Sequence, residues 1–169
     1  MRVYVPTTLA ALAQAHPDGA LEQSPAYAVT PALREWYVSD DIEELEYAAL
    51  VRAAQSSLRL LAADPGAPRR RVVVALDVPD AAVKPFAGDE YQDQLSLGQV
   101  VLAAPVRLAK AAAVHADAAD PEVAQDVATA ADAVTAADAG DDDAQFSVDG
   151  AEDHELLWFA TQEIPGLLG

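Results

Sequence analysis

The sequence predicts an α/β fold, in which one mixed sheet of about five strands carries helices packed against it. Segments rich in β-branched residues alternate along the chain with segments of helical periodicity, which is the pattern of this fold class. The chain has 169 residues and is 52% apolar. That is enough for one domain with its own core, whereas two domains would be unusually small. We therefore expect residues 1–169 to form a single domain.

The first elements follow from alternation and from helix caps. The segment RVYVP (2–6) alternates and predicts a strand, and the threonines after it can cap a helix over residues 9–16. A second strand is expected at 26–30. Thr30 then stands before a proline, which is the favoured start of a helix, so we expect one over residues 32–37.

The longest helix is predicted at residues 41–63. An aspartate can cap its start, acids occupy its first turn, and apolar residues recur at helical spacing from Ile42 to Leu61. The strand that follows, residues 71–78, is apolar almost throughout. We expect this strand to be buried on both faces.

The pattern weakens in the second half of the chain. Residues 79–98 are expected to be irregular, and residues 99–106 and 110–118 are expected to form strands. A helix with a thin face of small apolar residues is predicted over 122–139. Residues 140–153 follow as an exposed acidic loop.

The C-terminal stretch HELLWFATQEIPGLL (154–168) fits either a strand or a helix. Its apolar residues would surround a helix on all sides, whereas its length and aromatic content favour a strand over about 155–160. In both cases we expect this stretch to be part of the core.

The charge of the chain limits its partners. The formal net charge is −18, and all ten lysines and arginines precede residue 111. Such a surface repels phosphate backbones, so we expect no binding to nucleic acids. The basic cluster PRRRV (68–72) is interpreted as a solvated edge rather than an anion site. The Ala- and Asp-rich segment at about 118–153 is of low complexity.

The composition also indicates a compartment. The chain has no cysteine, which excludes disulfides and thiol ligands. It has neither the apolar run of a signal peptide nor a stretch long enough to span a membrane. A cytoplasmic protein without membrane contact is expected.

Standard catalytic and cofactor motifs are missing from the sequence. It has no HExxH pair for zinc, no G-x-S-x-G serine elbow, and neither of the glycine-rich phosphate loops. We therefore expect no metal, no cofactor and, on balance, no enzymatic activity.

One alternative enzymatic site is kept open. Asp77 and Asp117 each fall at the end of a predicted strand, and His115 lies two residues before the second. If these strands were parallel neighbours, the two carboxylates would meet at one edge and could hold Mg²⁺ for a metal-dependent hydrolase. Otherwise these aspartates start turns or cap helices.

A calcium loop is considered and not expected. Residues 141–152 place acids at positions 1, 3, 9 and 12 of an EF-hand frame. However, Phe146 stands at the position where that loop requires glycine.

The best candidate binding surface lies at the junction of two predicted helices. Aromatic residues flanked by charges are typical of ligand pockets and protein interfaces, and also of ordinary helix corners. The candidate residues are Arg34, Glu35, Trp36, Tyr37 and Tyr47.

Several segments together resemble a family of uncharacterised proteins from high-GC actinobacteria: MRVYVPTTLAAL, AYAVTPALREWY, EELEYAAL, SLRLLAADP, RRRVVVALDVPDA and HELLWFATQEIP. The resemblance covers most of residues 1–80 and the C-terminal stretch, and it is poor over 84–98 and 118–150. It implies an actinobacterial origin and a shared fold, and it carries over no catalytic residue.

Two functional hypotheses follow. The first is a non-enzymatic protein that binds a protein partner, a further copy of itself or a small ligand. The second is the small metal-dependent hydrolase that would use the carboxylates at the strand ends.

Overall fold

The computed structural model describes residues 1–21, 25–86 and 96–169. These residues form nine strands and six α-helices. The strands are β1 (Arg2–Thr7), β2 (Ala20–Leu21), β3 (Ala26–Ala28), β4 (Val72–Asp77), β5 (Val83–Pro85), β6 (Gln99–Leu102), β7 (Val106–Arg107), β8 (Ala113–Ala116) and β9 (Leu157–Phe159). The helices are α1 (Leu9–Ala15), α2 (Pro31–Tyr37), α3 (Ile42–Ala63), α4 (Pro121–Asp138), α5 (Asp142–Gly150) and α6 (Ile164–Leu168).

The main sheet has seven strands in the order β5-β6-β3-β1-β4-β8-β9, and every pairing among them is antiparallel. A second sheet pairs β2 with β7. The prediction of a mixed sheet of about five strands is therefore wrong in strand number and direction, although the combination of helices with a sheet is confirmed. The crossover through α2 and α3 joins β3 to β4, which flank β1, so an alternating sequence pattern produces antiparallel neighbours.

The predicted strands at 2–6, 26–30, 71–78 and 110–118 are confirmed by β1, β3, β4 and β8. The prediction for 99–106 is confirmed in part, because β6 ends at Leu102. Residues 79–86 are more regular than expected, since they contain a 3₁₀ turn and β5. The rest of the predicted irregular segment includes residues 87–95, which lie outside the described residues.

Strand β4 is the centre of the core, and its expected burial on both faces is confirmed. Val72 to Ala75 are fully buried and point alternately to opposite faces. Val72 and Val74 pack in one cluster with α1, α6 and the small sheet. Val73 packs in the other cluster beneath α2 and α3. The main sheet is thus covered on both sides.

A third apolar cluster joins the helices to one another. Leu58 and Leu61 of α3 pack with Val127 and Val134 of α4, and the α4–α5 hairpin lies on the outer side of this contact. The thin apolar face predicted for 122–139 is confirmed. These small residues connect α4 and α5 to the body of the protein.

The prediction of an exposed acidic loop at 140–153 is wrong, because most of this segment forms helix α5. Asp141 caps this helix by accepting a hydrogen bond from the amide of Ala144 at 3.1 Å, and Asp142 and Asp143 lie in its first turn. Acids in this position stabilise a helix start. The same residues therefore adopt a helix and not an EF-hand loop.

The basic cluster at 68–72 is also not the solvated edge that we expected. The side chains of Arg71 and Asp117 are only 4% and 0% exposed, and they form an ion pair of 2.7 Å. Arg70 donates to the carbonyl oxygen of Asp117, and Arg69 donates to carbonyls at the end of α3. Arg70 and Arg71 thus connect the start of β4 to the end of β8. Arg69 binds carbonyl groups at the C-terminal end of α3.

The C-terminal stretch forms a strand, as favoured, but it is not core throughout. Strand β9 pairs with β8 and stands at the edge of the sheet. Trp158 is 62% exposed and Leu157 is exposed as well. The apolar residues that anchor this end are Ile164 and Leu167 of α6. An edge strand of three residues has too little covering structure to bury its aromatic side chain.

A buried serine connects α3 to the sheet, and its removal is expected to be costly. Ser57 Oγ donates to the carbonyl of Thr7 at 2.8 Å and accepts from the amide of Val72 at 3.0 Å. Ser57→Ala leaves both groups without this partner, so we expect the free energy of unfolding to fall by about 2 kcal/mol or more. Chemical denaturation measures the change. The neighbouring Ser56→Ala is the matched control and should change stability by less than about 0.5 kcal/mol; equal losses in both variants would contradict the role of Ser57.

Candidate functional site

The junction between α2 and α3 carries an exposed apolar surface. Thr30 caps α2 through a hydrogen bond from the amide of Leu33, and Leu33 is buried beneath the helix. The other side of α2 and the first residue of α3 face solvent. We call this surface the aromatic corner and define it by Trp36, Tyr37, Val38 and Ile42, which are all exposed large apolar side chains.

Val38 is the most unusual residue of the aromatic corner. Its backbone is left-handed, with φ 48° and ψ 48°, and its side chain is 89% exposed. The amide of Ser39 donates to the carbonyl of Arg34, which closes the helix in the manner of a Schellman motif. Glycine is usual at this position, because a β-branched side chain is strained there. The strained residue is therefore also one that contributes nothing to the core.

The predicted residues Arg34, Glu35, Trp36 and Tyr37 all lie on α2 and are exposed. Trp36 is 41% and Tyr37 is 40% exposed. Within residues 1–21, 25–86 and 96–169, none of these four side chains makes a hydrogen bond or an ion pair. All four side chains thus present part of their surface to solvent.

An acidic rim surrounds the aromatic corner. Asp41 caps α3 by accepting hydrogen bonds from the amides of Glu43 and Glu44, and Ser39 Oγ donates to Glu44 at 3.2 Å. These contacts fix the short connection between the two helices. The rim consists of the exposed acids Glu35, Asp40, Asp41, Glu43 and Glu44.

Tyr47, the remaining predicted binding residue, belongs to a neighbouring surface. It is about half exposed, and its hydroxyl donates to Glu155 at 3.3 Å, just before β9. Partial burial and the adjacent Glu155 carboxylate raise the pKa of the Tyr47 hydroxyl. The hydrogen bond of Tyr47 therefore runs to the C-terminal edge of the sheet and not to α2.

The structure does not bring Asp77 and Asp117 together. Their strands β4 and β8 are neighbours but antiparallel, with Val72 opposite Ala116. Asp77 ends β4, whereas Asp117 lies beside its start, so about six residues, on the order of 20 Å, separate them. The parallel arrangement required for the proposed magnesium site is thus not formed.

Each of the two aspartates has its own arginine. Asp77 binds Arg2 through two hydrogen bonds of 2.8 and 3.0 Å, and this partner lowers the pKa of the Asp77 carboxyl. Asp117 is bound by Arg71. Neither carboxylate is presented to a metal ion.

His115 lies between these two ends, on the side of the sheet that faces α3. Its ring centroid is 6.4 Å from that of Tyr4, and the Tyr4 hydroxyl donates to Glu46 of α3 at 3.2 Å. Burial, and secondarily the charge of Arg2, lowers the pKa of His115. Burial and the Glu46 carboxylate raise the pKa of Tyr4. This is a packed polar contact between sheet and helix.

In the part of the chain that the structure describes, no group of three or more histidines, aspartates and glutamates is arranged to hold a metal ion. None of the helices in those ranges is long and apolar enough to cross a membrane.

Sequence reasoning missed two residues of the aromatic corner. Ile42 fits the apolar repeat of α3, but it is the first residue of that helix and is exposed. Val38 gives no signal of a left-handed position, since that position normally requires glycine. The only clue is the run of large apolar residues at the end of a short helix that has no glycine after it.

The fold and the site define an α+β protein with an antiparallel sheet and an exposed aromatic corner. A family model described as a family of unknown function, DUF6912, matches residues 1–168, and the chain belongs to this family. The match includes the two segments where the resemblance was poor. Neither the curated proteins nor the solved structures contain a match to the chain.

The half-buried His115 should make stability depend on pH. Its pKa is lowered from 6.5 in the folded protein, so between that lowered value and 6.5 the unfolded chain binds more protons. The free energy of unfolding should therefore fall as the pH is lowered from about 6.5. The pKa of Asp77 and of Asp138 is lowered from 3.8, so their contribution is lost only at more acidic pH.

Denaturation between pH 7.5 and pH 5 measures this effect. His115→Gln should flatten the dependence in this range, and His16→Gln should leave it unchanged. If the free energy of unfolding of His115→Gln depends on pH as that of the parent does, the assignment of this effect to His115 is contradicted.

Proposed function

We propose that this protein is a non-enzymatic binding protein that holds a protein partner at the aromatic corner. The observation that supports this most strongly is Val38, a strained and almost fully exposed valine beside Trp36 and Tyr37. Neither the strain nor the exposure adds stability, since glycine would fit the backbone better. Strain of this kind is characteristic of residues kept for a function.

The composition of the aromatic corner favours a protein partner. Trp and Tyr are the residues that contribute most to protein interfaces, especially where charged groups surround an apolar centre. The proposed partner therefore has an apolar pocket for Trp36 and Val38, with lysines or arginines around it that face the acidic rim.

A second copy of the chain is the less favoured partner. A symmetric dimer through this corner would bring each acidic rim close to its own equivalent, and each chain already carries a net charge of −18. Like charges at an interface oppose association. The hydrolase alternative has no support from the positions of Asp77 and Asp117.

We also propose a cytoplasmic location in an actinobacterium. The absence of cysteine fits a protein that needs no disulfide. The alanine- and aspartate-rich composition and the resemblance described above support the source.

The proposed binding function predicts that Val38→Gly changes stability and binding in opposite directions. Val38→Gly relieves the left-handed strain, so the free energy of unfolding should rise by about 1 kcal/mol in a denaturant titration. The same change removes an anchor from the aromatic corner, so binding should weaken. A loss of stability would contradict the proposed strain.

Photo-crosslinking in the native cells tests binding. A photoreactive residue at Glu35 should give one discrete adduct, and the same residue at Asp132 on α4 should not. The crosslinked partner peptide should be apolar and flanked by lysine or arginine, and the adduct should disappear with Trp36→Ala or Val38→Gly. The proposal fails if both positions give the same adducts, if Val38→Gly changes nothing, or if the adduct joins two copies of this chain.

A further inference from the structure

The main sheet has two edge strands, and their compositions differ. At one edge, β5 includes Lys84 and Pro85, and lysine and proline are residues by which natural edge strands avoid pairing with another chain. At the other edge, β9 consists of Leu157, Trp158 and Phe159 and has neither of these protecting residues. The side chains of Leu157 and Trp158 are 47% and 62% exposed. The β9 edge is therefore the less protected of the two against an added strand.

The hydrogen-bond pattern of the sheet determines which backbone groups of β9 face outward. The amide of Asp117 donates to the carbonyl of Arg71 directly across from it, so the odd-numbered residues of β8 bond to β4. The even-numbered residues of β8 bond to β9, where their partners are Leu157 and Phe159. Trp158 lies opposite an odd-numbered residue of β8. Its amide and carbonyl therefore point away from the sheet.

The extended backbone continues beyond the three residues of β9. It is extended at His154, with φ −101° and ψ 119°, and at Ala160, with φ −67° and ψ 154°. The amide of Ala160 donates to the Glu163 carboxylate at 2.7 Å, so this side chain occupies the outward donor at one end of the edge. In the described part of the chain, no strand pairs with the outer side of β9. The outward groups of Trp158 are thus positioned to pair with a further strand.

The two faces of the sheet present different side chains at this edge. Trp158 lies opposite His115 and therefore stands on the face that α3 covers. Leu157 and Phe159 point to the other face, where Phe159 packs against the core and Leu157 is exposed. An added strand would thus contact an indole ring on one face and a leucine side chain on the other.

The charge of the segment that contains β9 is negative. Residues 152–163 include no lysine or arginine, and their four acids are all exposed: Glu152, Asp153, Glu155 and Glu163. Arg71 reaches the carbonyl of His154, but its charge is already balanced by Asp117. An exposed indole ring attracts cations through its π face, and carboxylates attract them directly. The edge is therefore complementary to a basic segment.

We propose that β9 binds an extended segment of a partner protein by β-strand addition, and that arginine or lysine alternates with apolar residues in this segment. The added strand is antiparallel, like every other pair in the sheet. Its basic residues lie on the face of Trp158 and its apolar residues lie on the face of Leu157. This site is separate from the aromatic corner and does not depend on it.

A second copy of the chain is a less suitable occupant of this edge. Two antiparallel β9 strands paired around Trp158 would bring Asp153 of each chain towards Glu163 of the other. Like charges that face each other across paired strands oppose the pairing.

A fluorescent heptapeptide that alternates valine and arginine tests the proposal in anisotropy titrations at about 0.15 M salt, which screens long-range attraction. It should bind the full chain saturably and one to one. In the proposed pairing the arginine amides face β9, so methylation of the arginine amides should weaken binding about tenfold or more, whereas methylation of the valine amides should not. Both methylated peptides keep the charge of the parent peptide. Absence of saturable binding, or equal binding of the two methylated peptides, would overturn the proposal.

Hydrogen exchange and one pair of variants locate the site. In the free protein the Trp158 amide should exchange faster than the amides of Leu157 and Phe159, and the peptide should slow its exchange. Trp158→Ala should weaken binding of the peptide about tenfold, and Trp36→Ala at the aromatic corner is the matched control and should bind as the parent does. Equal affinity in Trp158→Ala and the parent would overturn the proposal. A dimer of the free chain that Trp158→Ala dissociates would assign the edge to a second copy and would also overturn it.

Discussion

The buried ion pair between Arg71 and Asp117 is the interaction on which the rest of this structure depends. Three hydrogen bonds from Arg71 reach the Asp117 carboxylate, one from the backbone and two from the guanidinium. Removing two charges from water is costly, and only good geometry with further hydrogen bonds offsets that cost. Here Arg70 binds the Asp117 carbonyl, and Arg71 also reaches the carbonyl of His154. The pair thus connects β4, β8 and the segment before β9.

The contacts around the Arg71–Asp117 pair help to explain how the layer formed by α4 and α5, which packs through small residues, is held in place. Helices α4 and α5 offer mostly alanine and valine to α3, which bury little area per residue. Their ends are fixed by polar contacts instead: Arg59 with Asp138 on one side, and His154 with Asp126 at 2.7 Å on the other. The residues of the aromatic corner belong to none of the three core clusters, and their exposed surface is available for binding.

Local signals in the sequence were sufficient for most elements. The caps at Thr30 and Asp41 placed α2 and α3, and the continuous apolar run placed β4 in the centre. Strand direction could not be predicted. The alternation of strands and helices along the chain is the same whether β3 and β4 are parallel neighbours or lie on either side of an antiparallel β1. The partners of Arg71 and the exposure of Trp158 depend on long-range pairing. Of the candidate site, the aromatic residues of α2 were predicted, while Val38 was not, because its backbone conformation contradicts its residue type.

A double-mutant cycle on Arg71 and Asp117 tests the central claim most directly. The free energy of unfolding is measured for Arg71→Met, Asp117→Leu and the double variant. Each single variant leaves one buried charge unpaired and should lose about 3–5 kcal/mol, whereas the double variant should lose much less than the sum. Losses that add to within about 0.5 kcal/mol would show that the two residues act independently, and would contradict the claim that this pair organises the fold.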